Sequence, residues 1–339
     1  MRTRGLYFLL FATLLLACAR EENTIPEQVD EPFIVTMPSG APAIPVPDAN
    51  RPTKARVELG KALFFDEALS MGHGLSCASC HFAEYAFSDT VARSVGAGGL
   101  TGLRNAPSLA NLAYHPAYFR DGGIPTLEQQ VLAPVHTENE MASDILAASD
   151  MLRANGHYVA LSRLAYDREL DPFVITRAIA CYERTLVSGW SRYDRFHYEG
   201  DATALSEEEQ RGWELFNGAG AGCSDCHGGF DLSDHSYRNI GTSIDHTEDP
   251  GRERITLDPA DRGKFKVPTL RNVAITAPYM HDGSMATLEE VVEHFALGGV
   301  ADPNKDPLVH PRALSAQDKS DLVAFLRALT DDRSLDQVP

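Results

Sequence analysis

The pattern Cys-x-x-Cys-His occurs twice in this chain, as Cys77-Ala-Ser-Cys80-His81 and Cys223-Ser-Asp-Cys226-His227. With 6 Cys and 12 His in 339 residues, a single copy is expected by chance about 0.004 times, so two copies are a strong constraint. Two thiols at this spacing form thioether bonds to the vinyl groups of a haem, and the turn places the adjacent His as the proximal iron ligand. Rival chemistries fit less well. A disulfide does not require a His directly after the second Cys. A zinc site built from both Cys pairs does not account for a His and a separate downstream sequence at each pair. Cys77, Cys80, His81, Cys223, Cys226 and His227 are therefore read as the attachment and proximal ligation residues of two haem c groups.

The duplication extends beyond the motifs. Pro107-Ser-Leu-Ala-Asn111 is echoed by Pro268-Thr-Leu-Arg-Asn272, Phe119-Arg-Asp121-Gly122 by Met280-His-Asp282-Gly283, and Thr126-Leu-Glu128 by Thr287-Leu-Glu289. This predicts a mainly α protein with long loops, made of two cytochrome c-like haem domains related by internal duplication, at 51–200 and 201–339. Helices are expected around Leu59, Leu63 and Phe64 and over 173–186. Two more should open at Ser206 with Glu209 and at Ser315 with Asp318, both capping-box spacings. In the last of these, Leu322, Phe325, Leu326 and Leu329 recur at helical intervals. The longer second copy carries an extra polar, Gly-containing stretch, 231–266, read as a loop.

The N-terminus reads as an export signal over 1–17. Arg2 and Arg4 precede an apolar run too short to span a bilayer. The run ends Leu15-Leu16-Ala17-Cys18, which resembles the bacterial lipoprotein signal and would make Cys18 a lipidated first residue, anchored on the periplasmic side of a membrane. Residues 18–50, with several Pro, are read as a linker. The chain has 30 basic and 48 acidic residues, a net charge of −18. That excludes nucleic acid as a natural partner and suits a basic protein partner or simple solubility. Cys181, outside both motifs, is expected to be a buried small apolar residue.

With these residues in hand, the chain from Leu59-Gly-Lys-Ala-Leu-Phe-Phe-Asp66 to the last helix resembles the dihaem cytochrome c peroxidase and MauG family. The resemblance also runs through Arg104-Asn-Ala-Pro107, Glu128-Gln-Gln130, Glu140-Met141, Glu183-Arg-Thr-Leu186 and Val267-Pro-Thr-Leu-Arg-Asn-Val273. It implies that the N-terminal haem binds hydrogen peroxide and that the C-terminal haem relays electrons from a small donor protein, a cytochrome c or a cupredoxin. Gln130 and Glu140 fall on the family's acid-base pair: a carboxylate near an open iron position can take a proton from one peroxide oxygen and return it to the other. The resemblance also implies a calcium ion between the domains, with ligands falling on Asn105, Thr276 and Pro278, the last two through the backbone or hydroxyl. Family members often form homodimers.

The sequence departs from that pattern at three places. The loop that carries an iron-ligating His in some family members reads Ser94-Val95-Gly96-Ala97-Gly98, so the first haem is expected to be open without prior reduction. Arg120 stands where a Trp often lies between the haems; Tyr118, Phe119 and Trp190 are alternative aromatics. Phe295 stands where the second haem would take a Met or Tyr ligand and cannot bind iron. Of its neighbours, His294 comes first and Met280 second as replacement. Three functions remain in play: hydrogen peroxide reduction, MauG-like oxidation of a partner protein, and electron transfer without catalysis.

Overall fold

The computed structural model describes residues 29–335. The expected signal peptide, Cys18 and the first part of the expected linker lie outside the described residues. Eleven helices carry the described chain: α1 Lys54–Phe64, α2 Leu127–Gln130, α3 Leu132–His136, α4 Ile145–Leu152, α5 Gly156–Tyr166, α6 Pro172–Glu183, α7 Arg192–Tyr198, α8 Glu207–Asn217, α9 Glu253–Thr256, α10 Leu288–Leu297 and α11 Ala316–Arg327. Two short strands, β1 Tyr237–Arg238 and β2 Phe265–Lys266, pair antiparallel. This ribbon falls inside the stretch expected to be pure loop; two-residue strands leave no alternating pattern to read. None of the described helices is long and apolar enough to cross a membrane.

The buried apolar residues form two clusters. One runs from Ala55 to Leu186 with Leu335 added, the other from Tyr193 to Leu329. Each is organised by one helix crossing ahead of its Cys-x-x-Cys-His motif. In the first, α1 crosses α6, and Phe64 meets Tyr182 and Phe87 edge-on at ring-centroid distances of 5.3 and 5.7 Å. In the second, α8 crosses α11, and Phe216 meets Phe325 at 5.1 Å. Both crossings are closed at a glycine. A Cβ on Gly60 would lie 1.9 Å from the Ala178 carbonyl oxygen, and one on Gly212 would lie 2.0 Å from that of Asp321. The expected capping boxes form at α8, with Ser206 and Glu209, and at α11, with Ser315 and Asp318.

Matching turns recur at the echoed sequences. Asn111 and Asn272 share a left-handed backbone, φ 61° and 60°. Each precedes a short 3-10 turn, Leu112–Tyr114 and Val273–Ile275. Tyr118 bridges Ile124, and Tyr279 bridges Met285. Thr126 caps α2 as Thr287 caps α10.

The described part of the expected linker is bound down. Asn50 is buried and donates to Glu128 Oε1 and the Arg177 carbonyl at 2.8 and 3.0 Å. Tyr114 donates to the Pro42 carbonyl at 2.9 Å, and Ser39 donates to Glu199 at 2.9 Å. The strap's Asn50 and Ser39 side chains donate to the body, and the body's Tyr114 hydroxyl takes up one of its exposed carbonyls. Cys181 is fully buried, with Sγ 3.3 Å from Asn50 Oδ1.

Candidate dihaem site

Each Cys-x-x-Cys-His motif opens as a 3-10 turn, Cys77–Ser79 and Cys223–Asp225, and continues into the His through a backbone bond to the first Cys carbonyl, 3.0 Å in both cases. None of the four thiols is in a disulfide. His81 donates Nδ1–H to the Phe87 carbonyl at 2.7 Å, and His227 to the Leu232 carbonyl at 3.0 Å. Burial pushes both imidazoles below their ordinary pKa, toward the neutral form. With Nδ1 committed to a carbonyl, the lone pair of Nε2 is left for a metal, the arrangement that orients an iron-ligating His. A small cavity of about 130 Å³ opens beside His227, with a mixed lining that includes Tyr193, His197, Phe216, Asn217, Leu232 and Phe325. The residues therefore fit two covalently held haems.

The loop after α3 brings Glu140 to the first motif. Partial desolvation raises its carboxyl above the ordinary value although the side chain is open to solvent, and its charge adds slightly to the burial that raises the Cys80 thiol. Ala97 N donates to the Glu140 carbonyl at 2.6 Å. A Cβ on Gly96 would lie 2.3 Å from the Asn139 carbonyl oxygen, so only glycine lets the two loops approach this closely. Gln130 ends α2, half-buried, and no hydrogen bond joins it to Glu140. The structure thus ties the Glu140 peptide to the loop at Ala97 and leaves Gln130 on a separate element.

Similarity to known proteins follows the same lines. The profile of the di-haem cytochrome c peroxidases matches residues 54–203. The methylamine utilization protein MauG of Methylorubrum extorquens is 37% identical over 289 residues, 85% of this chain and 81% of that one. The cytochrome c551 peroxidase of Nitrosomonas europaea is 36% identical over 301 residues, 88% of this chain and 86% of that one. The chain belongs to the di-haem cytochrome c peroxidase family. Among solved structures, a MauG-like protein associated with microbial copper homeostasis superposes with a TM-score of 0.83 at 36% identity, covering 87% of this chain and 95% of that one.

Within this family the second half of the site is the less regular. His294 Nε2 lies 2.9 Å from the Ile240 carbonyl, so one ring nitrogen already has a backbone partner. Met280 sits in the turn before α10 with φ 74°, as Phe119 does in the first half with φ 64°. Phe295 packs edge-on to His294 at 5.4 Å.

Two features go beyond the sequence reading, which named Glu183 only as part of the resemblance. Glu183 is 4% exposed, its Oε2 has no hydrogen-bond partner, and burial pushes its carboxyl up to about 8, with Arg184 opposing. Its charge adds to the burial that raises the Cys77 thiol. The other is the seam between the halves. Arg104 holds Asp249 through Nε and Nη2, both at 2.6 Å, and Asp121 through Nη1 at 2.7 Å. Arg254 also reaches Asp121. Lys266 Nζ lies 3.2 Å from His115 Nδ1, and His115 Nε2 lies 3.2 Å from Asp231 Oδ2, with His235 beside them. The stretch 231–266 is therefore a clasp across the seam rather than a slack loop.

The calcium donors predicted from the resemblance fare differently. Asn105 Oδ1 already accepts from Arg120 Nη2 at 2.6 Å. The Thr276 hydroxyl donates to the Val273 carbonyl at 3.2 Å, and Pro278 follows in the same turn. A calcium ion takes six to eight oxygens from protein and water, and the one side-chain amide oxygen of this set is engaged by a guanidinium.

Proposed function

We propose that this chain is an exported di-haem peroxidase that reduces hydrogen peroxide to water at its first haem, using electrons delivered through the second by a small donor protein. The observation that carries the reading is Glu140. Its carboxyl is raised by partial desolvation while still open to solvent, its charge reaches Cys80 of the first motif, and its peptide is fastened to the loop where Ala97 takes the place of a ligating His.

Haem supplies the redox chemistry at an open coordination position. The chain supplies proton handling. Glu140 accepts a proton from the peroxide oxygen nearer the iron and returns it to the departing oxygen, and its raised pKa makes it the stronger base. Gln130 orients the peroxide through its amide. The balance is H2O2 plus two electrons and two protons to two waters. Two haem domains from one duplicated design divide the work between peroxide and donor. Cys18 anchors the protein on the periplasmic side of a membrane, and the acidic surface suits a basic cytochrome c or cupredoxin. Self-association as a homodimer completes the reading.

Oxidation of a protein partner, in the manner of MauG, is the second reading. The likeness to MauG and to the MauG-like copper-homeostasis protein favours it, and Phe295 in place of a Tyr ligand weighs against it. The test is donor oxidation by the haem-loaded protein on adding hydrogen peroxide, with Glu140→Gln alongside. Glu140→Gln is expected to lower turnover by a factor of about 10² to 10⁴. A long-lived peroxide-oxidised spectrum without donor turnover would favour the second reading. No response of donor or haem spectrum to peroxide would overturn both.

A further inference from the structure

We infer that the cation between the two haem domains is the guanidinium of Arg120, and that this protein needs no calcium. Arg120 Nε donates to the Asn105 carbonyl at 2.9 Å, and Nη2 donates to Asn105 Oδ1 at 2.6 Å. The pair of bonds grips one residue at two oxygens, with the fixed fork that only a guanidinium offers. Asn105 is 4% exposed, and its remaining groups are also engaged. Its side-chain Nδ2 donates to the Val91 carbonyl at 3.2 Å. Its backbone N donates to the His281 carbonyl at 2.8 Å, across the seam. The donor pattern fixes the amide orientation, so Oδ1 is the atom facing Arg120.

A calcium ion bound to Asn105 Oδ1 would sit 2.3–2.6 Å from that oxygen, beside a guanidinium nitrogen that is itself 2.6 Å away. Burial lowers the Arg120 pKa to about 10, with Arg104 adding to the shift and Asp282 opposing it, so the group is still charged at neutral pH. Two cations cannot share this oxygen in a buried seam without strong repulsion. Of the neighbouring carboxylates, Asp121 is paired with Arg104 and Arg254 and Asp249 with Arg104, while Asp282 faces Arg120 as its counter-charge. The Arg120 carbonyl accepts from Lys266 N at 2.6 Å, which ties the same residue to β2 of the second half. Arg120 thus joins three segments, around Asn105, Lys266 and, through Asn105, His281. The departure that sets Arg where a Trp often lies and the engagement of the expected calcium donor are one event at one side chain.

The experiment uses the haem-loaded protein and does not depend on peroxide turnover. Calcium is counted by inductively coupled plasma mass spectrometry after gel filtration in calcium-free buffer. The absorption and EPR spectra of both haems and the Tm are then recorded with EGTA and with added calcium. The inference expects far less than one calcium per chain, with spectra and Tm unmoved by either treatment. One calcium per chain, with spectra or Tm shifting when EGTA removes it, would overturn it. Arg120→Gln removes the charge and half of the fork. It is expected to lower the Tm by several degrees or to make the Tm rise with added calcium. A variant whose Tm equals the parent's and ignores calcium would also overturn the inference. If that variant does not fold, the metal count on the parent still decides.

Discussion

Phe87 and Leu232 hold a left-handed backbone, φ 58° and 50°, although neither is a glycine. A side chain in that region costs about 1–2 kcal/mol. Both residues are buried, 0% and 3% exposed, so their packing offsets the strain while their carbonyls meet His81 and His227. The haem motifs themselves were legible because the chemistry dictates residue types at fixed spacing. The carbonyl partners were not, because a backbone turn of this kind leaves no residue signature once glycine is absent. Ala97 was legible in the same way as the motifs, as a residue type that cannot bind iron. With its N–H on the Glu140 carbonyl, the loop is held in place with no ligand to offer. The ferric EPR spectrum of the oxidised protein should therefore show the first haem as high-spin, five-coordinate or water-bound, without prior reduction. A bis-histidine low-spin signal from that haem would show that another His reaches it.

At the scale of helices, the capping boxes of α8 and α11 were readable because Ser with an acid three residues on is a local signal. The crossings were only half readable. Leu59, Leu63 and Phe64 marked the buried face of α1, but nothing local marks Gly60 and Gly212 as contact points, since the carbonyls they meet lie on helices more than 100 residues away in sequence. Replacing Gly by Ala inside a helix normally gains up to about 1 kcal/mol. Here the added Cβ would lie 1.9–2.0 Å from a carbonyl oxygen, and forcing such a contact apart costs typically 1–3 kcal/mol. The clash should win. Gly60→Ala and Gly212→Ala are each expected to lower the Tm by several degrees. Gly156→Ala, at the start of α5 with nothing within 4 Å of its Cβ, should leave the Tm unchanged or raise it. Equal effects at all three sites would mean that the crossings tolerate a methyl group.

The whole molecule is two cores and a clasp. The two buried clusters each hold one Cys-x-x-Cys-His motif against them. The clasp could not be foreseen, because Arg104 with Asp249 or His115 with Asp231 are pairings across more than 100 residues among polar side chains with no periodicity. The clasp makes the seam sensitive to acid. His115 is held below its ordinary pKa, to about 4, chiefly by burial, with the Asp231 carboxylate opposing and the charges of Lys266 and His235 adding to the depression. The unfolded chain takes up this proton as pH falls below about 6.5, while the folded chain resists until about 4. The unfolded state therefore binds more protons throughout that window, and stability falls as pH falls, by at most about 1.4 kcal/mol per pH unit for this one group. Above pH 6.5 the contribution is fully present and flat. An amide side chain cannot titrate, so His115→Asn should lose this part of the acid slope even if its stability at pH 7 is lower. The measurement is Tm against pH from 7 to 4 for both proteins. Curves that converge toward pH 4 place an acid-sensitive latch at His115, whereas curves that stay parallel would show that the imidazole is already free to protonate in the folded protein.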